Sequence, residues 1–104
     1  MSTEIHRRRK IEVIVEAPLA RAVIDWLGEQ GVRGYSMIPR VSGGGHHGER
    51  QGDDVTRVFE NVLIIAIAPE DMARAILTGF HARFPNATGI IYLSDVDVAR
   101  SAHF

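Results

Sequence analysis

The sequence contains no cysteine and only one tryptophan among its 104 residues. The absence of cysteine excludes disulfide bonds, thiolate nucleophiles and thiolate-bound metals. An excess of one charge is also lacking, because 12 Lys and Arg residues stand against 13 Asp and Glu residues. Without a strong net field to attract a polyanion, we expect neither nucleic-acid binding nor direct membrane insertion. The absence of cysteine fits a cytoplasmic protein, and the cytoplasm is the expected location.

The N-terminus lacks a long apolar run. Residues 1–9 are polar, and the basic run His6–Lys10 is not followed by the apolar stretch of a signal peptide. A short charged segment ahead of a domain is usually solvated, although it can also contact an acidic partner. We therefore expect residues 1–9 to form a flexible basic arm and residues 10–104 to form a single domain.

What the sequence does contain is a succession of strand and helix patterns. Apolar residues alternate with polar ones over residues 10–16, which predicts a first strand. Pro18 and Pro69 stand where helices begin, each followed by apolar side chains spaced three and four residues apart, and Gly31 is expected to end the first helix. Three further segments are rich in strand-forming residues, namely 33–41, 56–68 and 88–99.

The two halves of the chain resemble each other. Ala17-Pro18 precedes a helix that contains Arg21-Ala22, and Ala68-Pro69 precedes a helix that contains Arg74-Ala75 in the same way. Two interleaved βαβ units predict a ferredoxin-like α+β fold, βαββαβ, with a four-stranded antiparallel sheet and both helices on one face. Because residues 62–67 are apolar on both faces of their strand, we expect an oligomer that covers the bare face of the sheet.

A segment without apolar side chains separates the second and third predicted strands. Residues 42–54 hold five glycines together with His46, His47 and Arg50. Such a loop either binds an anion through its backbone amides and the arginine, or serves as a flexible connector, and it matches no established phosphate-binding motif. Adjacent histidines in an extended loop point apart, so we expect no metal site. No nucleophile with a neighbouring base is recognisable, and we do not expect an enzyme.

The order of these elements resembles the PII-like signalling proteins, and more narrowly the carboxysome-associated PII proteins. The resemblance covers about residues 10–100. The motifs that carry it are Gly34-Tyr35-Ser36, the glycine-rich loop with Arg50, and Gly89-Ile90 at the start of the last strand. It implies a homotrimer whose clefts between subunits bind adenine nucleotides, with a mobile T-loop, here about residues 42–55, that reports occupancy to a protein target.

The resemblance also implies roles for individual residues. Three would line the base and ribose, namely Gly34, Tyr35 and Ser36. At the base of the T-loop, the phosphates would be held by Gly43, Gly44, Gly45 and Arg50, with His46 as a further contact. The turn that closes over the nucleotide would be formed by Gly89 and Ile90.

The sequence departs from the family pattern in ways that narrow the expected ligand and the expected modification. The PII proteins proper carry a longer turn with a lysine before the last strand, whereas this chain has only residues 86–89, so ADP or AMP is favoured over ATP. The T-loop also lacks the tyrosine that is modified in nitrogen-regulating members. The carboxysome-associated relatives imply bicarbonate as a second ligand and inorganic carbon or energy status as the signal. They imply a bicarbonate transporter or a carboxysome component as the target, and a location at the carboxysome within the cytoplasm.

Two other functions fit the same order of strands. An RNA-binding module displays stacking aromatic side chains on the open sheet face, whereas the third strand here offers Leu63, Ile65 and Ile67. A divalent-cation-tolerance protein is a trimer of related fold, but the absence of cysteine and the unclustered histidines count against it. A non-catalytic nucleotide-binding regulator is therefore the favoured hypothesis.

Overall fold

The structure, a computed structural model, describes residues 4–43, 60–102 and 104. Its elements are β1 (His6–Glu16), α1 (Ala17–Glu29), β2 (Ser36–Val41), β3 (Asn61–Ala68), α2 (Glu70–Arg83) and β4 (Ile90–Val98). The strands form one sheet in the order β2-β3-β1-β4, and each neighbouring pair is antiparallel. The predicted ferredoxin-like βαββαβ fold is confirmed.

The helices begin and end where local chemistry requires. A proline occupies the first turn of α1, where its missing N–H leaves no intrahelical bond unmade. Gly31 follows the helix with φ of +108°, a conformation that favours glycine, and the Val32 N–H then donates to the Leu27 carbonyl at 3.0 Å. The prediction that Gly31 ends α1 is confirmed. In α2, acidic side chains stand in the first turn and basic ones in the last, which complements the helix dipole.

The hydrophobic core lies between the sheet and the two helices. Alternate residues of β1 point into it and are fully buried, namely Ile11, Val13 and Val15. From the helices, Trp26 packs against Phe80 and Phe84, with ring centroids 6.2 and 5.7 Å away. Burial of each such side chain contributes about 1.5–3 kcal/mol, so this layer is the main source of folding free energy.

The other face of the sheet is bare, since both helices pack on one side. The register of the strands aligns Ile38, Leu63, Ile14 and Ile90 in a single row across all four strands. The two ends of this apolar row are open to solvent, with Ile38 47% and Ile90 55% exposed. The prediction that β3 is apolar on both faces is confirmed, and the row forms an apolar surface suited to contact with another chain.

The first strand begins four residues earlier than predicted, at His6. Residues 6–9 therefore lie in the sheet, paired with residues 95–98 of β4, and not in the flexible arm that the sequence predicted. The physical reason is that β4 is long enough to continue the backbone ladder to His6, and the facing side chains are compatible, since Arg7 Nε lies 2.8 Å from Asp97 Oδ1. Residues 1–3 lie outside the described part of the chain.

Arg9 joins three elements at this end of the sheet. Its Nε lies 3.2 Å from Asp95 Oδ1 on β4, and its Nη1 donates to Glu70 Oε1 at 2.9 Å, in the first turn of α2. The hydrogen bond from Arg9 is the main cause that lowers the pKa of the Glu70 carboxyl, and a second arginine, Arg74, acts in the same direction. The basic run is thus part of the framework that holds α2 on the sheet.

Two predicted segments fall largely or partly outside the described residues. Of the predicted T-loop over residues 42–55, the structure describes only Ser42 and Gly43. The third strand is predicted from Thr56 to Ala68. The structure describes this segment from residue 60 onward, and β3 starts at Asn61. In the described ranges, neither helix has the length and apolar character needed to span a membrane.

Candidate functional site

The first group of predicted site residues lies where the chain passes from α1 into β2. Gly34 and Tyr35 belong to the irregular segment after the helix, and Ser36 is the first residue of β2, opposite Ile65. All three are exposed, and the Tyr35 side chain is 48% exposed despite its size. An open pocket of about 260 Å³ lies beside them, between this segment and the last turns of α1, with Ile24, Leu27 and Val32 among its apolar lining.

Tyr35 is tied to helix α1 through its hydroxyl group. Arg21 Nη2 donates to Tyr35 Oη at 3.3 Å, and Arg21 Nη1 lies 3.5 Å from Asp25 Oδ1, one turn further along the helix. These contacts, the hydrogen bond to Tyr35 first, raise the pKa of the Arg21 guanidinium, which remains protonated in any case. From the sequence, Arg21 was recognisable only as part of the internal repeat, because no local pattern connects it with Tyr35.

The second group, Gly89 and Ile90, lies at the start of β4. Ile90 is directly opposite Ile14 of β1. Gly89 packs so closely on β1 that a Cβ atom there would collide with the Ile14 carbonyl oxygen and the Val15 side chain. Only glycine fits this position without a shift of backbone. The sequence could not show this reason for Gly89, because β1 and β4 are distant in the chain.

These two groups lie at opposite edges of one sheet. Strand β2 forms one edge and β4 the other, with β3 and β1 between them. Three spacings between strands separate the edges, about 14 Å at the usual spacing. A single chain therefore does not bring the Gly34–Ser36 segment and the Gly89–Ile90 segment together around one small ligand.

The third group belongs to the predicted base of the T-loop. Gly43 follows β2 and is exposed, with open space where a Cβ would be. It lies beyond the end of β2 that pairs with Asn61, and so at the same end of the sheet as Gly89. The other predicted residues of this group lie outside the described part of the chain, namely Gly44, Gly45, His46 and Arg50.

The titratable side chains of the described residues do not form a metal centre. Within residues 4–43, 60–102 and 104, no three His, Asp or Glu side chains converge on a position that could hold an ion. Several of the described charged groups instead form ion pairs, as Arg21 does with Asp25. The arrangement offers exposed backbone, an aromatic ring and apolar surface, which suit the binding of an organic ligand.

Comparison with known proteins gives a consistent result. The model of the family "Nitrogen regulatory protein P-II" matches residues 8–103. The chain matches no curated protein sequence. Among solved structures it is similar to CPII, a nitrogen regulatory PII-like protein from Thiomonas intermedia K12, bound to ADP, AMP and bicarbonate. The two are 29% identical with a TM-score of 0.82, and the match covers 95% of this chain and 94% of CPII.

Two further structures resemble the chain. The apo form of the same CPII is 26% identical with a TM-score of 0.77, over 96% of this chain and all of that one (100%). A PII-like signalling protein from Thermus thermophilus gives a TM-score of 0.77 at 23% identity, over 93% of this chain and 94% of that one. The last identity is low, so this match supports the fold alone.

The packing of Gly89 generates a testable prediction. Gly89→Ala should destabilise the protein by about 1–3 kcal/mol, because the new methyl group meets the β1 backbone, which cannot move aside cheaply. Gly34→Ala is the matched control, since nothing lies within contact distance of its Cβ, and it should change the unfolding free energy by no more than about 0.5 kcal/mol. Urea unfolding at one fixed protein concentration measures both, and equal midpoints for the two variants would contradict the close packing.

Proposed function

Because the chain belongs to the nitrogen regulatory protein P-II family, we propose that it is a non-catalytic regulator that binds an adenine nucleotide in the clefts between the subunits of a homotrimer. ADP and AMP are the favoured ligands, with bicarbonate as a second ligand. The Gly34–Ser36 segment lines the base and ribose, the base of the T-loop holds the phosphates, and the Gly89–Ile90 turn closes over the nucleotide.

The separation of the predicted ligand residues carries this proposal. Gly34–Ser36 and Gly89–Ile90 stand at opposite edges of the sheet, so a site that includes both needs two chains. When the β2 edge of one chain meets the β4 edge of the next, the contact is between unlike surfaces, and such contacts form a closed ring when the rotation between neighbouring subunits is 120° for three copies. Three copies give three equivalent clefts. The same assembly covers the bare apolar face of each sheet.

The similar proteins support the choice of ligand. The CPII structure at 29% identity is bound to ADP, AMP and bicarbonate. In this chain the turn before β4 is short, residues 86–89, and it contains no lysine to neutralise a third phosphate. A cationic partner strengthens phosphate contacts substantially, so its absence favours the less charged nucleotides.

Signalling is the remaining part of the proposal. The T-loop, about residues 42–55, responds to nucleotide and bicarbonate and presents the result to a protein target. By the family resemblance, that target is a bicarbonate transporter or a carboxysome component, and the signal is inorganic carbon or energy status. The localisation of a tagged copy of this protein, compared in cells with and without carboxysomes, tests the proposed target separately from ligand binding.

If the nucleotide site lies between chains, a variant that cannot form the trimer should also lose nucleotide binding. Ile65→Asp places a carboxylate on the bare face of β3, directly opposite Glu12, where an interface with another chain would bury an unpaired charge next to a like charge. We expect this variant to be monomeric by light scattering and to lose ADP and AMP binding by calorimetry, whereas the parent is trimeric and binds both. Ala75→Asp, on the exposed side of α2, is the control and should behave as the parent. A folded monomeric Ile65→Asp that binds ADP with parental affinity would contradict the proposal.

A second prediction concerns Arg50, which lies outside the described residues. If its guanidinium contacts the phosphates, Arg50→Ala should weaken ADP binding about ten- to a hundredfold, since a charge-assisted hydrogen bond contributes about 1.5–3 kcal/mol. Arg50→Lys should recover part of the affinity, and light scattering should show an unchanged trimer. Bicarbonate and nucleotide should each tighten the binding of the other by the same factor. Parental ADP affinity in Arg50→Ala, with and without bicarbonate, would remove Arg50 from the site.

A further inference from the structure

The segment that carries the first group of site residues, residues 33–36, has few polar links to the other described parts of the chain. Its last backbone hydrogen bond to α1 is made by Val32, and strand pairing resumes only at Ser36. Within the described part of the chain, residues 33–35 make no backbone hydrogen bond outside the sheet. The side-chain bond between Tyr35 and Arg21 is therefore the described polar link between this segment and the helix layer.

The geometry of Arg21 suits it to hold an exposed ring in place. Its guanidinium is engaged on two sides, by the Tyr35 hydroxyl at 3.3 Å and by Asp25 at 3.5 Å. The planar group, fixed by two partners, restricts rotation of the Tyr35 ring, whose rim is otherwise half open to solvent. A side chain that is already held in its binding orientation loses less conformational freedom when a ligand arrives.

We propose that Arg21 is a positioning residue of the nucleotide site, which acts through the hydroxyl of Tyr35 to hold the aromatic ring in the orientation that receives the base or ribose. This inference rests on the proposed function, because it concerns the same site. It assigns a role to a helix residue outside the motifs on which the site was predicted. The contact contributes to ligand affinity by pre-organisation and adds little to the stability of the fold, since both partners are exposed.

The internal repeat supplies a matched control for Arg21. Arg74 occupies the corresponding position in α2, and its side chain is 68% exposed, the same value as for Arg21. It also pairs with a carboxylate one turn away, with Nη1 3.2 Å from Glu70 Oε2. Arg74 has no described contact with a tyrosine. Removal of either arginine therefore costs one exposed helical ion pair, and only removal of Arg21 releases an aromatic side chain of the site.

The experiment compares Arg21→Gln, Tyr35→Phe, the double variant and Arg74→Gln by ADP calorimetry, with urea unfolding and light scattering on the same samples. Arg21→Gln and Tyr35→Phe should each weaken ADP binding about three- to tenfold, and the double variant should be no weaker than either single one, because both changes remove the same contact. Arg21→Lys, which can still donate to the hydroxyl, should recover part of the loss. Arg74→Gln should bind as the parent does, and all variants should share the parental urea midpoint and trimer mass.

The inference would be overturned if Arg21→Gln bound ADP with parental affinity. It would also be overturned if the double variant lost affinity by the product of the two losses measured for the single variants. In the latter case Arg21 acts independently of Tyr35. An equal loss in Arg74→Gln would also overturn it, because the effect would then belong to helix charge in general. These outcomes leave the proposed function intact, whereas a parent protein that binds neither ADP nor AMP would remove the proposed function and this inference together.

Discussion

The antiparallel pairing of β1 with β3 is the constraint on which the rest of the structure depends. In this register the buried residues of both strands face the helices, and Ile14 and Leu63 meet on the other side. Because β3 carries Leu63, Ile65 and Ile67 on the bare face and Ile14 of β1 lies beside Leu63, the helices of the same chain do not cover this apolar surface. The same order of strands places β2 and β4 at the two edges. The sheet topology therefore explains both why the chain needs a partner and why the two groups of predicted site residues lie far apart in one chain.

Much of this fold could be predicted from the sequence, because its signals are local. Prolines at the helix starts, Gly31 at the end of α1 and the double-sided apolar run of β3 each act within a few residues. The early start of β1 could not be predicted, because residues 6–9 are strand through their pairing with β4, in which Arg7 is opposite Asp97, 90 residues away in the sequence. The same holds for Gly89, whose requirement for glycine comes from the backbone of Ile14 across the sheet.

The candidate site shows the same division between local and distant signals. The motif Gly34-Tyr35-Ser36 was visible as a short pattern, and the structure places it on an exposed edge, but its role as base and ribose lining stays a prediction. Arg21 was not recognisable as part of the site, since no pattern links a helical arginine to a tyrosine fourteen residues later. Membership of the P-II family shows the class of protein, and the placement of the two residue groups is what argues for a site shared between chains.

The central claim is that each nucleotide site is built from the β2 edge of one chain and the β4 edge of another, and subunit complementation tests it most directly. Gly34→Gln adds a side chain at the first edge, where a Cβ has open space, and Ile90→Gln puts an uncharged polar side chain at the second. Each variant alone, shown to be trimeric by light scattering, should bind ADP poorly. After the two are unfolded together in equal amounts and refolded, random trimers should regain about one intact site in four, with parental affinity. No recovery of ADP binding in mixed trimers would contradict the claim.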